Sequence, residues 1–201
     1  GMHLQPAIEE GKVGSRPGPF MAQTIEYNIT IEGKSCHGAQ PHMGVDSIYV
    51  AAKLIDNYQS IISRSIDPLE SAVLSIGKIN GGTVRNLISE SVRLEGTLRS
   101  FNMNIYECIK KRMLEINEGL EKMYNVKIST EFVDFCPPVV NDIELYNKII
   151  KSIDTSEYVE MKPMTIAEDF GFYQMEIPGL FLMIGTKNDE KGYNHPLHSS
   201  H

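Results

Sequence analysis

No apolar run in this sequence approaches the roughly 20 residues that cross a bilayer, and the first residues, GMHLQPAIEE, lack a basic region followed by an apolar one. The expectation is a chain that is neither exported nor membrane-spanning. Cysteine is scarce as well. Cys36, Cys108 and Cys136 are odd in number, far apart and in no CxxC pair, which argues against a disulfide scaffold or a thiolate zinc site and suits a reducing cytoplasm. A basic stripe is also missing: the formal net charge is −7, with 19 Lys and Arg against 26 Asp and Glu, so no nucleic acid partner is expected. Neither an internal repeat nor a low-complexity stretch interrupts the chain. What remains, 41% hydrophobic and 22% charged over 201 residues, is an ordinary globular composition that can bury one generous core or two small ones.

Periodicity organises the middle of the chain. From Thr24 to Gly33, Ile25, Tyr27, Ile29 and Ile31 alternate with mostly polar residues, the period of a half-buried strand. Between Val45 and Ile62, the residues Val45, Ile48, Ala52, Ile55 and Ile62, flanked by Leu54, Tyr58 and Ile61, form a helical stripe. Ser71 to Asn80 and Ser91 to Ser100 read as a loop-linked antiparallel pair, with Gly81-Gly82 supplying turn angles. A second amphipathic helix follows, carrying Ile105, Ile109, Met113, Ile116, Leu120 and Met123. A last strand, Val126 to Phe135, is stopped by Cys136-Pro137-Pro138, because proline cannot donate to the ladder.

The order is β-α-β-β-α-β, a ferredoxin-like arrangement with two helices on one face of a four-stranded antiparallel sheet. In its strand Ser91 to Ser100, Val92, Leu94 and Leu98 point one way and Arg93, Glu95, Thr97 and Arg99 the other, which sets Arg99 on the open face. The tail offers less: a helix over Asp142 to Ile153, another over Ile166 to Gln174 behind Glu168 and Asp169, and a short buried strand over Leu180 to Gly185. Two helices and a strand are too few for an independent core. The fold class is therefore α+β, a complete small domain flanked by pieces of a larger α/β domain.

The segments G-M-H-L-Q-P, S-R-P-G-P, G-K-S-C-H-G-A-Q-P-H, S-R-S-I-D-P-L-E-S-A-V, G-G-T-V-R-N-L-I, E-G-T-L-R-S-F, A-E-D-F and H-P-L-H-S follow one another along the chain. In that order they resemble the N-acyl-amino-acid amidohydrolases, which include hippurate hydrolases, aminoacylases, N-acetyl-diaminopimelate deacetylases and auxin-conjugate hydrolases. The resemblance implies a lid or dimerisation domain over residues 21–136, with residues 1–20 and 137–201 as remnants of an α/β metallopeptidase catalytic domain. It implies an activity too, metal-dependent hydrolysis of the amide bond of N-acyl amino acids or peptide-like substrates. The family's Cys-His and Glu-Glu motifs, with the general base and several ligands, are not among these segments. The expectation is thus a fragment truncated at both ends and inactive alone. Its alternatives are a dimerisation or binding module without catalysis, or one subunit of a split amidohydrolase.

Residue by residue, the resemblance implies His3 and His198 as metal ligands, for zinc, manganese or nickel in the complete site, while the chain alone is expected to hold none. His195 and His201 flank His198 at three-residue steps. His37 matches the lid histidine that reaches the partner subunit's active site and stabilises the tetrahedral intermediate, although Cys36 occupies a position that is usually glycine and puts the turn geometry in question. Asn86 and Arg99 match residues that hold the substrate's carboxylate and peptide groups, and Arg suits a carboxylate fork. Glu168 matches a carboxylate beside the metal site, where orienting a ligand and capping a helix are competing roles. Glu9 and Glu10 follow Gln5-Pro6-Ala7 as the family's glutamate pair follows a Q-P-A sequence, yet the distance from His3 to Ser15-Arg16-Pro17-Gly18 matches the family segment downstream of that pair, so solvated loop carboxylates are expected ahead of the alternative, a catalytic base. The expected partners are a small substrate and a second copy, paired through the lid domain.

Overall fold

The computed structural model describes residues 1–196, apart from the side chain of Asp134. The strands and helices in chain order are β1 Met2–Glu9, β2 Val13–Ser15, β3 Gly18–Met21, β4 Gln23–Glu32, α1 Ser47–Ser65, β5 Ala72–Gly81, β6 Ser91–Ser100, α2 Met103–Tyr124, β7 Lys127–Cys136, β8 Val139–Asn141, α3 Ile143–Ile150, β9 Tyr158–Glu160, α4 Phe170–Gln174 and β10 Leu182–Lys187. They sort into two compact units, one of Thr24–Phe135 and one that joins Gly1–Gln23 to the chain from Cys136 onward.

The Thr24–Phe135 unit has the β-α-β-β-α-β order, with its sheet in the spatial order β5-β6-β4-β7 and β5 antiparallel to β6. Ile25, Tyr27, Ile29 and Ile31 of β4 and Val92, Leu94 and Leu98 of β6 are all buried in one cluster with both helices. The buried stripe of α1 is rotated from the expected one. It consists of Ser47, Val50, Ala51, Leu54, Tyr58 and Ile61, whereas Ile48 and Ala52 are exposed. The phase is set where the helix begins: Asp46 accepts hydrogen bonds from the backbone N–H groups of Ile48 and Tyr49, and the Ser47 hydroxyl donates to the Ser89 carbonyl, 2.8 Å away. Likewise α2 buries Tyr106, Ile109, Met113, Asn117 and Leu120 while Met123 is exposed. Asn117 is tolerated in the core because the Tyr58 hydroxyl donates to it at 2.9 Å and its own amide donates to Thr130.

The other unit contains more strand than the sequence pattern showed. A mixed sheet runs in the order β1-β10-β2-β9, with β1 parallel and β2 antiparallel to β10, and β3 pairs with β8 in a separate ribbon. Its small core is Ile8, Phe20, Met21, Val139, Phe181 and Met183. Asn141 joins the pieces: its side-chain amide donates to Ser15 Oγ and the Arg16 carbonyl, while its oxygen accepts from the Phe181 N–H at 2.7 Å. The expected helix over Ile166 to Gln174 shrinks to Phe170–Gln174. Met164 explains the delay, because its N–H donates to Phe20 and its carbonyl accepts from Ala22, which holds the backbone extended beside β3.

Candidate functional site

Two short loops of the Thr24–Phe135 unit are clamped together. Gly33 N–H donates to Glu90 as β4 ends, and Lys34 and Val45 exchange both backbone hydrogen bonds, closing the loop between them. Within that loop Gly38 N–H donates to the Asn86 carbonyl at 2.8 Å, and Ile88 N–H donates to the Cys36 carbonyl at 2.9 Å. His37 and Leu87 are thereby an antiparallel pair lying between the two bonds. On the other loop, Leu87 N–H donates to Val84, a turn that carries Arg85 and Asn86 at its tip. Ser89 holds the base of this turn, its hydroxyl accepting from Gly82 N–H and donating to the Ser91 carbonyl. Cys36 fits this turn, since its thiol donates to Gln40 and packs against Gly44, a neighbour with no side chain to displace it.

The imidazole of His37 is exposed, and its Nδ1 accepts the Ala39 N–H at 3.1 Å. A nitrogen that accepts carries no proton, so the neutral ring bears its proton on Nε2 and presents a donor outward. Such a donor can meet negative charge that develops on a carbonyl oxygen. Asn86, equally exposed, stands one residue from the pair. These two sequence-predicted residues are brought together. Arg99 is not brought to them. It lies on β6 opposite Val73, eight residues beyond the strand's first residue, and at about 3.3 Å per residue it is roughly 26 Å from the His37 end. The arginine is half-buried, with Nη1 within 3.5 Å of the Leu98 carbonyl.

In the other unit His3 is an exposed residue of β1, paired with Met183 of β10. Its Nδ1 is 2.7 Å from the Leu4 carbonyl, an acceptor only, so Nδ1 carries the proton and Nε2 keeps a free lone pair. That is the tautomer in which a metal-binding histidine is commonly held by a backbone carbonyl. Glu168 feels the charge of His3, and its carboxyl is held above the usual range first by desolvation and then by a hydrogen bond with Asp169. The Glu168 carboxylate also takes the Phe170 N–H, whereas Asp169, at the N-cap position, makes no side-chain cap. Glu168 thus accepts a backbone N–H at the start of α4 and stands within electrostatic reach of His3. His195 lines a depression of about 390 Å³ with Gln5, Pro6 and Ala7 of β1. His198 and His201 fall outside the described residues, and among the described residues no three His, Cys, Asp or Glu side chains gather as a metal site. His3 thus fits a ligand role singly, without a set.

Glu9 closes β1 and pairs with Lys12 at 2.6 Å, while Glu10 pairs with Lys191 at 2.9 Å. Their hydrogen bonds to Lys12 and to Asn188 and Lys191 draw both carboxyls down, away from the neutral range in which a general base works. Glu9 is a strand end rather than a loop residue, and both are exposed surface carboxylates. Pattern reading passed over Leu87 and Ser89. Each belongs to a contact of two or three residues, too short for any periodicity to show.

Comparison with known proteins agrees with this architecture. The chain is 36% identical over 198 residues to N-acetyl-L-cysteine deacetylase of Bacillus subtilis, covering 98% of this chain and 47% of that protein. It is 36% identical over 204 residues to N-acetyldiaminopimelate deacetylase of Limosilactobacillus reuteri, covering 100% of this chain and 52% of the relative. Among solved structures, a methicillin-resistant Staphylococcus aureus protein named as a candidate aminohydrolase superposes with a TM-score of 0.91 at 30% identity, over 99% of this chain and 52% of that one. The Bacillus subtilis protein YXEP, described as a dinuclear metal-binding peptidase of the M20 family, gives 0.74 at 28% identity, over 92% and 47%. The chain spans about half the length of the curated relatives it matches. Residues 23–124 match the peptidase dimerisation domain of M20 enzymes, and the chain belongs to that family.

Proposed function

We propose that this chain is the dimerisation half of a metal-dependent amidohydrolase that cleaves N-acyl amino acids in a reducing cytoplasm, and that it pairs with a second copy through the Thr24–Phe135 unit. The observation that carries the reading is the fixed tautomer of His37: with Nδ1 occupied by Ala39, the outward Nε2–H is a ready donor beside Asn86. In an amide hydrolysis it would stabilise the oxygen of the tetrahedral intermediate while the Asn86 amide holds the substrate's peptide group. Arg99 would fork to the substrate carboxylate. Bound divalent ions, zinc, manganese or nickel, would supply the polarised carbonyl and activated water of the family reaction. His3, through Nε2, and His198, as the sequence suggests, are the ligands this chain would contribute, and Glu168 would hold its place beside His3.

The test is a hybrid in which this chain replaces the matching half of the Bacillus subtilis deacetylase. Hydrolysis of N-acetyl-cysteine that chelation abolishes is the expected result. His37→Ala should then lower kcat by about 10²- to 10³-fold with little change in KM, as loss of one oxyanion donor does. A folded hybrid indifferent to His37→Ala would defeat the assignment.

A further inference from the structure

Leu87 stands out because it is a large apolar residue, 43% exposed, next to Asn86 in the turn that faces His37. One exposed leucine means little by itself. Its partner gives it meaning. Gly38 N–H to Asn86 and Ile88 N–H to Cys36 are the two bonds that flank the His37–Leu87 pair, which makes it the non-hydrogen-bonded kind of antiparallel pair. In such pairs the side chains leave the same face with Cβ atoms only about 4.5–5.5 Å apart. The leucine and histidine side chains therefore leave the same face side by side. Val84, 54% exposed, starts the same turn and widens the apolar strip.

We propose that Leu87 is a specificity-determining residue, the apolar wall beside the carbonyl that His37 receives, selecting substrates whose acyl chain is apolar. This rests on the reading of His37 and Asn86 as substrate-facing. A group that donates to a carbonyl oxygen leaves the carbons next to that carbonyl within a few ångströms of whatever flanks the donor. Here the flank is a branched hydrocarbon fixed by two backbone hydrogen bonds, so it discriminates by contact area rather than by charge. A longer acyl chain covers more of it and binds better, by about fourfold per methylene where burial is complete.

The experiment uses the chain itself, with methyl-labelled leucine, titrated with N-acetyl-, N-butyryl- and N-hexanoyl-alanine. Leu87 methyl, His37 Hε1 and Asn86 amide resonances are followed by NMR. The expected result is that all three shift together, that affinity rises with acyl length, and that Leu87→Ala reduces the increment to under about twofold per methylene. If His37 and Asn86 respond while Leu87 does not, or if the increment survives in Leu87→Ala, the specificity role fails and the site reading stands. If none of the three responds, both fail. Sedimentation of Leu87→Ala should match the parent; dissociation into monomers would reassign the leucine to contact with a second copy and overturn the proposal.

Discussion

Tyr27 lies across the strand beside it. Its ring passes over Gly96 of β6, and its hydroxyl donates to the Ser75 carbonyl of β5 at 3.0 Å, so one side chain ties three strands together. A Cβ on Gly96 would collide with the ring, the hydroxyl and the Ser75 backbone at once. Because a backbone oxygen is among the obstacles, rotating the tyrosine does not relieve the clash. Gly96→Ala should cost about 3 kcal/mol, the upper range for overpacking. Tyr27→Phe, which loses only the hydrogen bond, should cost about 1 kcal/mol. Urea unfolding of the two variants checks the order, and equal stabilities for Gly96→Ala and the parent would show that the ring does not lie there. The hydroxyl is also an acid of unusual weakness, since burial pushes it up beyond the ordinary tyrosine range. At this scale the sequence spoke unevenly. His37, Asn86 and Arg99 entered as candidates through the segments around them. The leucine beside His37 did not, because its role comes from pairing with a residue 50 positions away, and the serine beneath Asn86 did not, because its bonds to Gly82 and Ser91 leave no periodic trace.

Elements with several periods of pattern were read within one to three residues at their ends: β4, α1, β5, β6, α2 and β7. The three-residue strands β2, β8 and β9 carry no readable alternation; β2 adds to the edge of the longer β10, β8 pairs with β3, and β9 adds to β2. The phase of α1 was legible only approximately, since the cap at Asp46, rather than the apolar residues, decides which side faces the sheet. That rotation has a consequence. Ile48 is exposed beside Gly82, at the end of β5, and β5 is itself an edge strand with Val73 and Ile79 exposed. Unpaired backbone groups beside exposed apolar side chains are what a strand-pairing partner needs. If a second copy adds its own β5 here, a lysine introduced at Ile79 would be carried into that seam against the second copy and lose its water. Ile79→Lys should weaken pairing by about 100-fold or more, a loss of roughly 3 kcal/mol. Light scattering at micromolar concentration should then give a dimer for the parent and a monomer for the variant, and a dimeric variant would place the interface elsewhere.

The whole molecule must also account for Arg99, which β6 carries roughly 26 Å from the strand end on His37's side, too far for one small substrate to touch both within a copy. Two copies joined antiparallel along β5 would resolve this. A two-fold axis through that edge would set the Ala72 end of one strand beside the Gly81 end of the other. Ala72 pairs with Ser100 and Gly81 with Val92, so the Arg99 end of each copy would meet the His37 and Asn86 end of its partner. Each site would then take Arg99 from one chain and His37 from the other. In the hybrid enzyme, His37→Ala and Arg99→Ala should each be nearly inactive alone. Mixed and allowed to exchange, half of the dimers would contain one of each, and half of the sites in those would carry both intact side chains. Activity should return to about a quarter of the parent's, by the statistics of random pairing. Were both residues drawn from one chain, no mixed dimer would contain an intact site and the mixture would stay as inactive as its components. The assay thus separates a site shared between copies from one that a single chain completes.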